Sequence, residues 1–218
     1  MKFNDMGLSP ETLQSIQSLG FETPTPIQEQ AIPILLEGKR DFVGLASTGT
    51  GKTAAFGLPL LERINPDLAV PQGIILCPTR ELCLQITEDL KKFSRHRSTL
   101  RVVAVYGGSA ITTQIRDLKM GAQIIVATPG RLLDLIERRA AKLEQVAMVV
   151  LDEADEMLNM GFKEELDKIL GKMPKERVTW LFSATMDKGV ARIAKNYQHD
   201  PVEVSVGGRN ESAANIEH

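Results

Sequence analysis

From Ala46 to Thr53 the chain reads Ala-Ser-Thr-Gly-Thr-Gly-Lys-Thr, directly after an apolar run and ahead of a stretch with helical spacing. Glycines at 49 and 51 let a backbone wrap closely around oxygen atoms, and the amides at a helix start supply donors and positive potential. That is phosphate chemistry. The P-loop pattern is Gly, four free positions, then Gly-Lys-Ser/Thr, and this chain has Ala46 in the first glycine's place. Ser47, Thr48, Gly49, Thr50, Gly51, Lys52, Thr53 and Ala54 are the expected nucleotide-binding run. Lys52 would reach the β- and γ-phosphates, and the Thr53 hydroxyl would ligate Mg²⁺. The alternative is a glycine-rich turn that happens to precede Lys-Thr; average residue usage puts such a match by chance at roughly one in fifty. Later, Val149-Val150-Leu151 runs into Asp152-Glu153-Ala154-Asp155. A carboxylate at the end of a buried strand holds Mg²⁺, partly through water, so Asp152 is expected as the second half of the site. Glu153 beside it would orient and activate the attacking water. By themselves these acids would sooner be read as the acidic start of the following helix, favoured by its dipole; beside a P-loop they make a site for nucleotide hydrolysis.

Such residues must be held by a frame, and the chain alternates accordingly. Short apolar runs at 41–46, 73–78, 101–107, 122–128, 146–152, 178–183 and 201–206 alternate with helical spacing at 52–63, 80–93, 111–119, 131–138, 162–170 and 188–197. Runs such as Gly73–Cys77 and Met148–Asp152 are apolar at consecutive positions, which belongs to strands covered on both faces. The expected fold class is α/β, a mainly parallel central sheet with helices on both faces. Two further helices are expected at 9–19 and 25–36, the first opened by Ser9-Pro10-Glu11. In open parallel sheets ligands bind beyond the carboxyl ends of the strands. Six strand ends here carry polar or glycine-rich clusters: the P-loop, Pro78-Thr79-Arg80-Glu81, Gly107-Gly108, Thr128-Pro129-Gly130-Arg131, Asp152–Asp155 and Ser183-Ala184-Thr185. The segment 207–218 is polar and reads as a linker leading out of the domain.

Composition narrows the classes further. The 218 residues carry 26 Lys and Arg against 28 Asp and Glu, a net charge of −2, which excludes a polybasic protein that holds nucleic acid by bulk charge. No run reaches the ~20 apolar residues of a membrane span, and the opening lacks the apolar core of a signal peptide. Cys77, Cys83 and three histidines form no zinc pattern, and the cysteines read as reduced structural residues. A cytoplasmic location without membrane contact is expected. The basic stretch Lys91–Arg101 reads as a solvated helix end and turn.

Taken in order, these clusters resemble the N-terminal RecA-like domain of the DEAD-box RNA helicases. Gly20–Gln28 resembles that family's Q motif, with Phe3 as its upstream aromatic. The P-loop resembles motif I, Pro78–Leu82 motif Ia, Gly107-Gly108 the glycine doublet, Thr128–Arg131 motif Ib, Asp152–Asp155 motif II and Ser183–Thr185 motif III. The resemblance implies a RecA-like P-loop fold, ATP and Mg²⁺ as cofactors, and RNA held through its backbone independently of sequence. It implies that Gln28 bonds the adenine edge, that Phe21 stacks on the ring and that Thr23 contributes its backbone. Lys52, Asp152 and Glu153 would be catalytic. Pro78, Thr79, Arg80, Gly108, Thr128, Gly130 and Arg131 would contact RNA, although Arg80 and Arg131 also suit plain surface charge at helix starts. Asp155, Ser183 and Thr185 would couple the ATP site to RNA separation.

On this reading residues 1–38 form a helical region with the Q motif, 39–206 a RecA-like ATP-binding domain, and 207–218 the start of an interdomain linker. Cys83 stands where the family usually has alanine. The later motifs of the family, including arginines that complete the ATP site, have no counterpart, so a second RecA-like domain is the expected partner. The expected function couples ATP binding and hydrolysis to RNA binding and local duplex unwinding, with the isolated domain nearly inactive. The competing readings are a P-loop ATPase acting on a protein or metabolite, and a lobe that binds without turning over.

Overall fold

The computed structural model describes residues 1–207; residues 208–218, most of the expected linker, lie outside them. Seven strands form one sheet: β1 (Phe42–Leu45), β2 (Gly73–Leu76), β3 (Val102–Val105), β4 (Ile124–Ala127), β5 (Met148–Leu151), β6 (Val178–Ser183) and β7 (Val202–Ser205). Their spatial order is β3-β4-β2-β5-β6-β1-β7, and every pairing is parallel. The strands are shorter than the apolar runs at most ends, although ladder bonds continue past the regular pairing: the amides of Ala46, Cys77, Thr128 and Asp152 still donate to neighbouring strand carbonyls.

Continuous apolarity acquires its reason here. On β5, Met148 and Val150 enter one core while Val149 and Leu151 enter the other; Trp180 and Phe182 of β6 divide from Leu181 in the same way. The pleat alternates faces, and both faces are dry. The first face is covered by α1 (Pro10–Ser18), α2 (Pro26–Glu37), α3 (Lys52–Glu62) and α4 (Arg80–Phe93). The second lies under α6 (Pro129–Glu137), α7 (Ala154–Asn159), α8 (Lys163–Gly171) and α9 (Lys188–Tyr197), with α5 (Ile111–Lys119) at its β3 edge.

Local chemistry sets the helix starts. Ser9 accepts from the Thr12 amide with Pro10 in the first turn of α1. Thr25 and Gln28 form a reciprocal capping box at α2, which ends in a left-handed Gly38. Thr79 caps α4 through the Leu82 amide. Two expectations need correction. Helix α6 begins at Pro129 rather than Arg131, because the extended Thr128 is already its cap and proline suits a first helical turn. The stretch 91–101 is not uniformly solvated: Arg97 is half-buried, donating to the Leu61 carbonyl, the Ser9 hydroxyl and the Glu62 carboxylate at 2.7–2.8 Å.

Candidate functional site

The loop after β1 turns into α3 through two left-handed glycines, Gly49 at φ 80° and Gly51 at φ 88°. Gly51 has a second reason to lack a side chain, since a Cβ there would lie 2.5 Å from Gln28 Nε2. The same Gln28 nitrogen donates to the Gly51 carbonyl at 3.1 Å, while its Oε1 accepts from the Thr25 amide at 3.0 Å. The Thr50 hydroxyl closes the loop on the Ser47 carbonyl. Ser47, Thr48 and Gly49 are exposed, Thr50, Gly51 and Thr53 half-buried, and the Ala54 side chain lies in the core.

Lys52 opens α3 and is 7% exposed, and its ammonium has no hydrogen-bond partner. Its nearest opposite charge is Asp152 Oδ1, 4.0 Å away. A buried ammonium without a hydrogen bond is costly unless a ligand completes it, and amides at a helix start call for an anion. Asp152 ends β5, 2% exposed, and accepts from the Glu153 amide at 3.0 Å. Burial pushes its carboxyl up to about 6, against the downward pull of Lys52. Glu153 is left-handed at φ 53°, unusual for a residue with a side chain, and stands half-exposed at the head of α7.

These groups share a cavity of about 470 Å³ that runs from Asp152, Glu153 and Lys52 to Gln28 and Phe21. The donor set fits a phosphate chain near Lys52. It also suits a hard cation shared with phosphate oxygens, because Asp152 and Thr53 supply oxygen only. Phe21 packs against Phe3 and Phe93, with ring centroids 6.0 and 5.8 Å apart. Thr23 is exposed. One wall was missed by sequence reading: Gln85 and Asp89 of α4 face the same cavity, and burial pushes the Asp89 carboxyl up. Their spacing with Leu82 and Lys92 on a single helix face was the available signal.

Behind Glu153 a polar link joins the end of β6 to α7. Ser183 Oγ accepts from the Asp155 amide at 3.3 Å, and the Thr185 hydroxyl donates to Asp155 Oδ2 at 3.2 Å. Strand β6 stands between β1 and β5, so Ser183-Ala184-Thr185 lies between the Lys52 loop and the acidic pair.

A second constellation forms along β2, β3 and β4. Arg80 lies over the Tyr106 ring at 5.0 Å. Arg131 donates to the Ser109 carbonyl and to Gln114 Oε1, both at 3.0 Å, and Gln114 Nε2 donates to the Tyr106 carbonyl at 3.0 Å. Thr79 is committed as a cap, Pro78 is buried, Thr128 is half-buried and Gly130 is exposed. Gly108, left-handed at φ 79°, approaches Arg80. The arginines are thus tied into one polar strip by Tyr106, Ser109 and Gln114, none of which the motif pattern marked.

The family profile described as DEAD/DEAH box helicase matches residues 25–193. The chain belongs to this family. It is 51% identical over 209 residues to the DEAD-box ATP-dependent RNA helicase CshA of Streptococcus pneumoniae, covering 96% of this chain and 40% of that protein. It is 50% identical over 216 residues to the ATP-dependent RNA helicase CshA of Listeria monocytogenes, covering 99% and 41%. A crystal structure of a DEAD box protein from the hyperthermophile Methanococcus jannaschii matches with a TM-score of 0.91 and 42% identity, over 95% of this chain and 56% of that one. The parallel sheet is therefore the RecA-like fold of a DEAD-box domain. The chain spans about two fifths of the length of the curated DEAD-box relatives it matches.

Proposed function

We propose that this chain is the ATP-binding N-terminal domain of a DEAD-box RNA helicase, which couples ATP binding and hydrolysis to RNA binding and local duplex unwinding. The observation that carries the reading is the buried, unpartnered Lys52 ammonium at the head of α3, facing Asp152 across a cavity that extends to Gln28 and Phe21. Ser47–Ala54 cradle the phosphates through backbone amides, and Lys52 offsets their charge. Thr53 and Asp152 hold Mg²⁺, whose chemistry when bound is to neutralise charge on the phosphate oxygens. Glu153 orients the attacking water from its left-handed position beside Asp152. Gln28, Phe21 and the Thr23 backbone select adenine. The strip of Pro78, Thr79, Arg80, Gly108, Thr128, Gly130 and Arg131 holds RNA by its backbone; with few aromatics available, base stacking is not its mode. Asp155, Ser183 and Thr185 link the two sites.

The chain divides into the helical region 1–38, the RecA-like ATP-binding domain 39–206 and, from 207, the start of a linker toward a second RecA-like domain. No helix among the described residues is long and apolar enough to cross a membrane, and both free, buried cysteines suit a reducing compartment, the cytoplasm.

The test is Mg²⁺-ADP affinity by calorimetry. Lys52→Ala should lose tenfold or more, the scale of a charge-assisted contact of about 1.5–3 kcal/mol. Unchanged affinity would refute the assignment.

A further inference from the structure

Helix α6 begins at the RNA-facing rim with Pro129 and ends at the opposite, amino end of the sheet. There the connections α6–β5 and α8–β6 enclose a cavity of about 560 Å³, well separated along the strands from the nucleotide site. Its floor is aliphatic: Leu143 and Met173 are buried, and Ile136 is half-buried. Its rim carries Arg139, Lys142 and Lys172, all exposed, with Glu144 as the one carboxylate. None of the three cations makes an ion pair or a side-chain hydrogen bond among the described residues.

Arg139 adds an independent observation. It follows the last turn of α6 in the left-handed region at φ 58°, and the Ala140 amide closes the turn on the Leu135 carbonyl. Glycine or asparagine ordinarily fills such a position, because a Cβ is strained there. The chain instead places a long cation at this point, on the lip of the cavity.

We propose that this cavity docks a short acidic segment of a partner protein, an aliphatic side chain seated on Ile136, Leu143 and Met173 and carboxylates on Arg139, Lys142 and Lys172. The volume suits one or two side chains rather than a whole domain. Three unpaired cations around an apolar floor complement an anion with an apolar body. RNA fits the site poorly, since no aromatic residue lines it for a base to stack on, and phosphates alone would leave the floor uncovered. Because the cavity sits at the far end from the rim, an occupant leaves the nucleotide and RNA faces free, so the domain can be tethered while it works.

The experiment selects random peptides of about twelve residues, displayed on phage, against the 218-residue chain, and synthesises the enriched sequences as fluorescent probes. Expected are Asp or Glu flanking Leu, Ile, Val or Met. Binding should fall tenfold or more in the double variant Lys142→Glu with Lys172→Glu, which should keep its ADP affinity because neither residue touches that site. Arg139→Gly should weaken the peptide several-fold yet raise the melting temperature by roughly 2–4 °C, since it relieves the left-handed strain. A merely structural arginine would not separate the two readouts. The proposal is overturned if no peptide is enriched, if enriched peptides lack carboxylates, if binding survives the double variant, if Arg139→Gly binds as tightly as the native chain, or if oligoadenylate RNA displaces the probe.

Discussion

Gln28 commits one N–H to the Gly51 carbonyl and one lone pair to the Thr25 amide, so one N–H and one lone pair of its amide remain. That donor and acceptor pair matches the N7 acceptor and N6 amino donor of adenine, whereas guanine offers two acceptors, N7 and O6, and would leave the Gln28 oxygen facing an acceptor. ADP should therefore displace a fluorescent adenine nucleotide far better than GDP. Gln28→Ala should lose most of that preference and also weaken both nucleotides, because the same amide braces the phosphate loop. Equal competition by GDP in the native chain would remove the base-reading role and leave the loop chemistry standing. Glu153 is separable from binding in the same way: Glu153→Gln should keep ADP affinity and, in a chain joined to a second RecA-like domain, lose hydrolysis, measured as phosphate release.

Elements are joined by a few polar links whose loss is felt at a distance. Glu62, near the end of α3, accepts from the Ser9 amide at 3.1 Å, from the Ser9 hydroxyl at 2.9 Å and from Arg97 at 2.7 Å, tying α1, α3 and the turn after α4. Burial pushes its carboxyl up, but bonds from Thr12 and Ser9 and the charge of Arg97 outweigh this and hold it below the usual range. A carboxyl depressed on folding stabilises the native state above its unfolded value of about 4.3, and that share is lost as pH falls through the folded value. Glu62→Gln should thus cost about 1–2 kcal/mol at neutral pH, with the gap to the native protein closing below about pH 4. Urea unfolding at a series of pH values reads it; a gap independent of pH would assign the effect to shape alone. The link from β6 to α7 makes a different prediction. Ser183→Ala with Thr185→Ala breaks both bonds to Asp155, and in a chain joined to a second RecA-like domain it should reduce unwinding more than ATP hydrolysis. Equal loss of both would remove the coupling role.

For the molecule as a whole, the site is built at the carboxyl ends of β1, β6 and β5, inside the sheet. Phosphoryl transfer needs positive charge on the developing phosphate, and arginines supplied from outside the P-loop domain contribute about 10³–10⁵ in rate. Lys52 alone meets part of that need. Residues 1–218 by themselves should bind adenine nucleotide yet show little ATPase activity, little stimulation by RNA and no unwinding, and the few phosphate contacts of one lobe should be weak and salt-sensitive. Joining a second RecA-like domain after residue 218 should restore all three activities. RNA-stimulated turnover by the short chain at the rate of the longer one would overturn this account of the cleft.

What the chain announces by itself is what adjacent residues determine. Ser9, Thr25 and Thr79 cap the helices that follow because a cap needs only the amide three residues on. Runs such as Ile74–Leu76 disclose two-sided burial because every pleat position is apolar. Gly49 and Gly51 disclose the tight left-handed turn ahead of α3 because its geometry is local. Other features come only from the order in which strands assemble, which no local pattern encodes. That order sets Ser183 and Thr185 against Asp155, turns Gln85 and Asp89 into a wall of the cavity, threads Arg131 to Arg80 through Gln114 and Tyr106, and draws Arg97 out of a basic stretch onto Glu62. The six-residue α7 is too short for a helical period to show. The burial that raises Asp152 and leaves Lys52 without a hydrogen bond exists only once both faces of the sheet are covered, because desolvation is a property of the packed molecule and not of a motif.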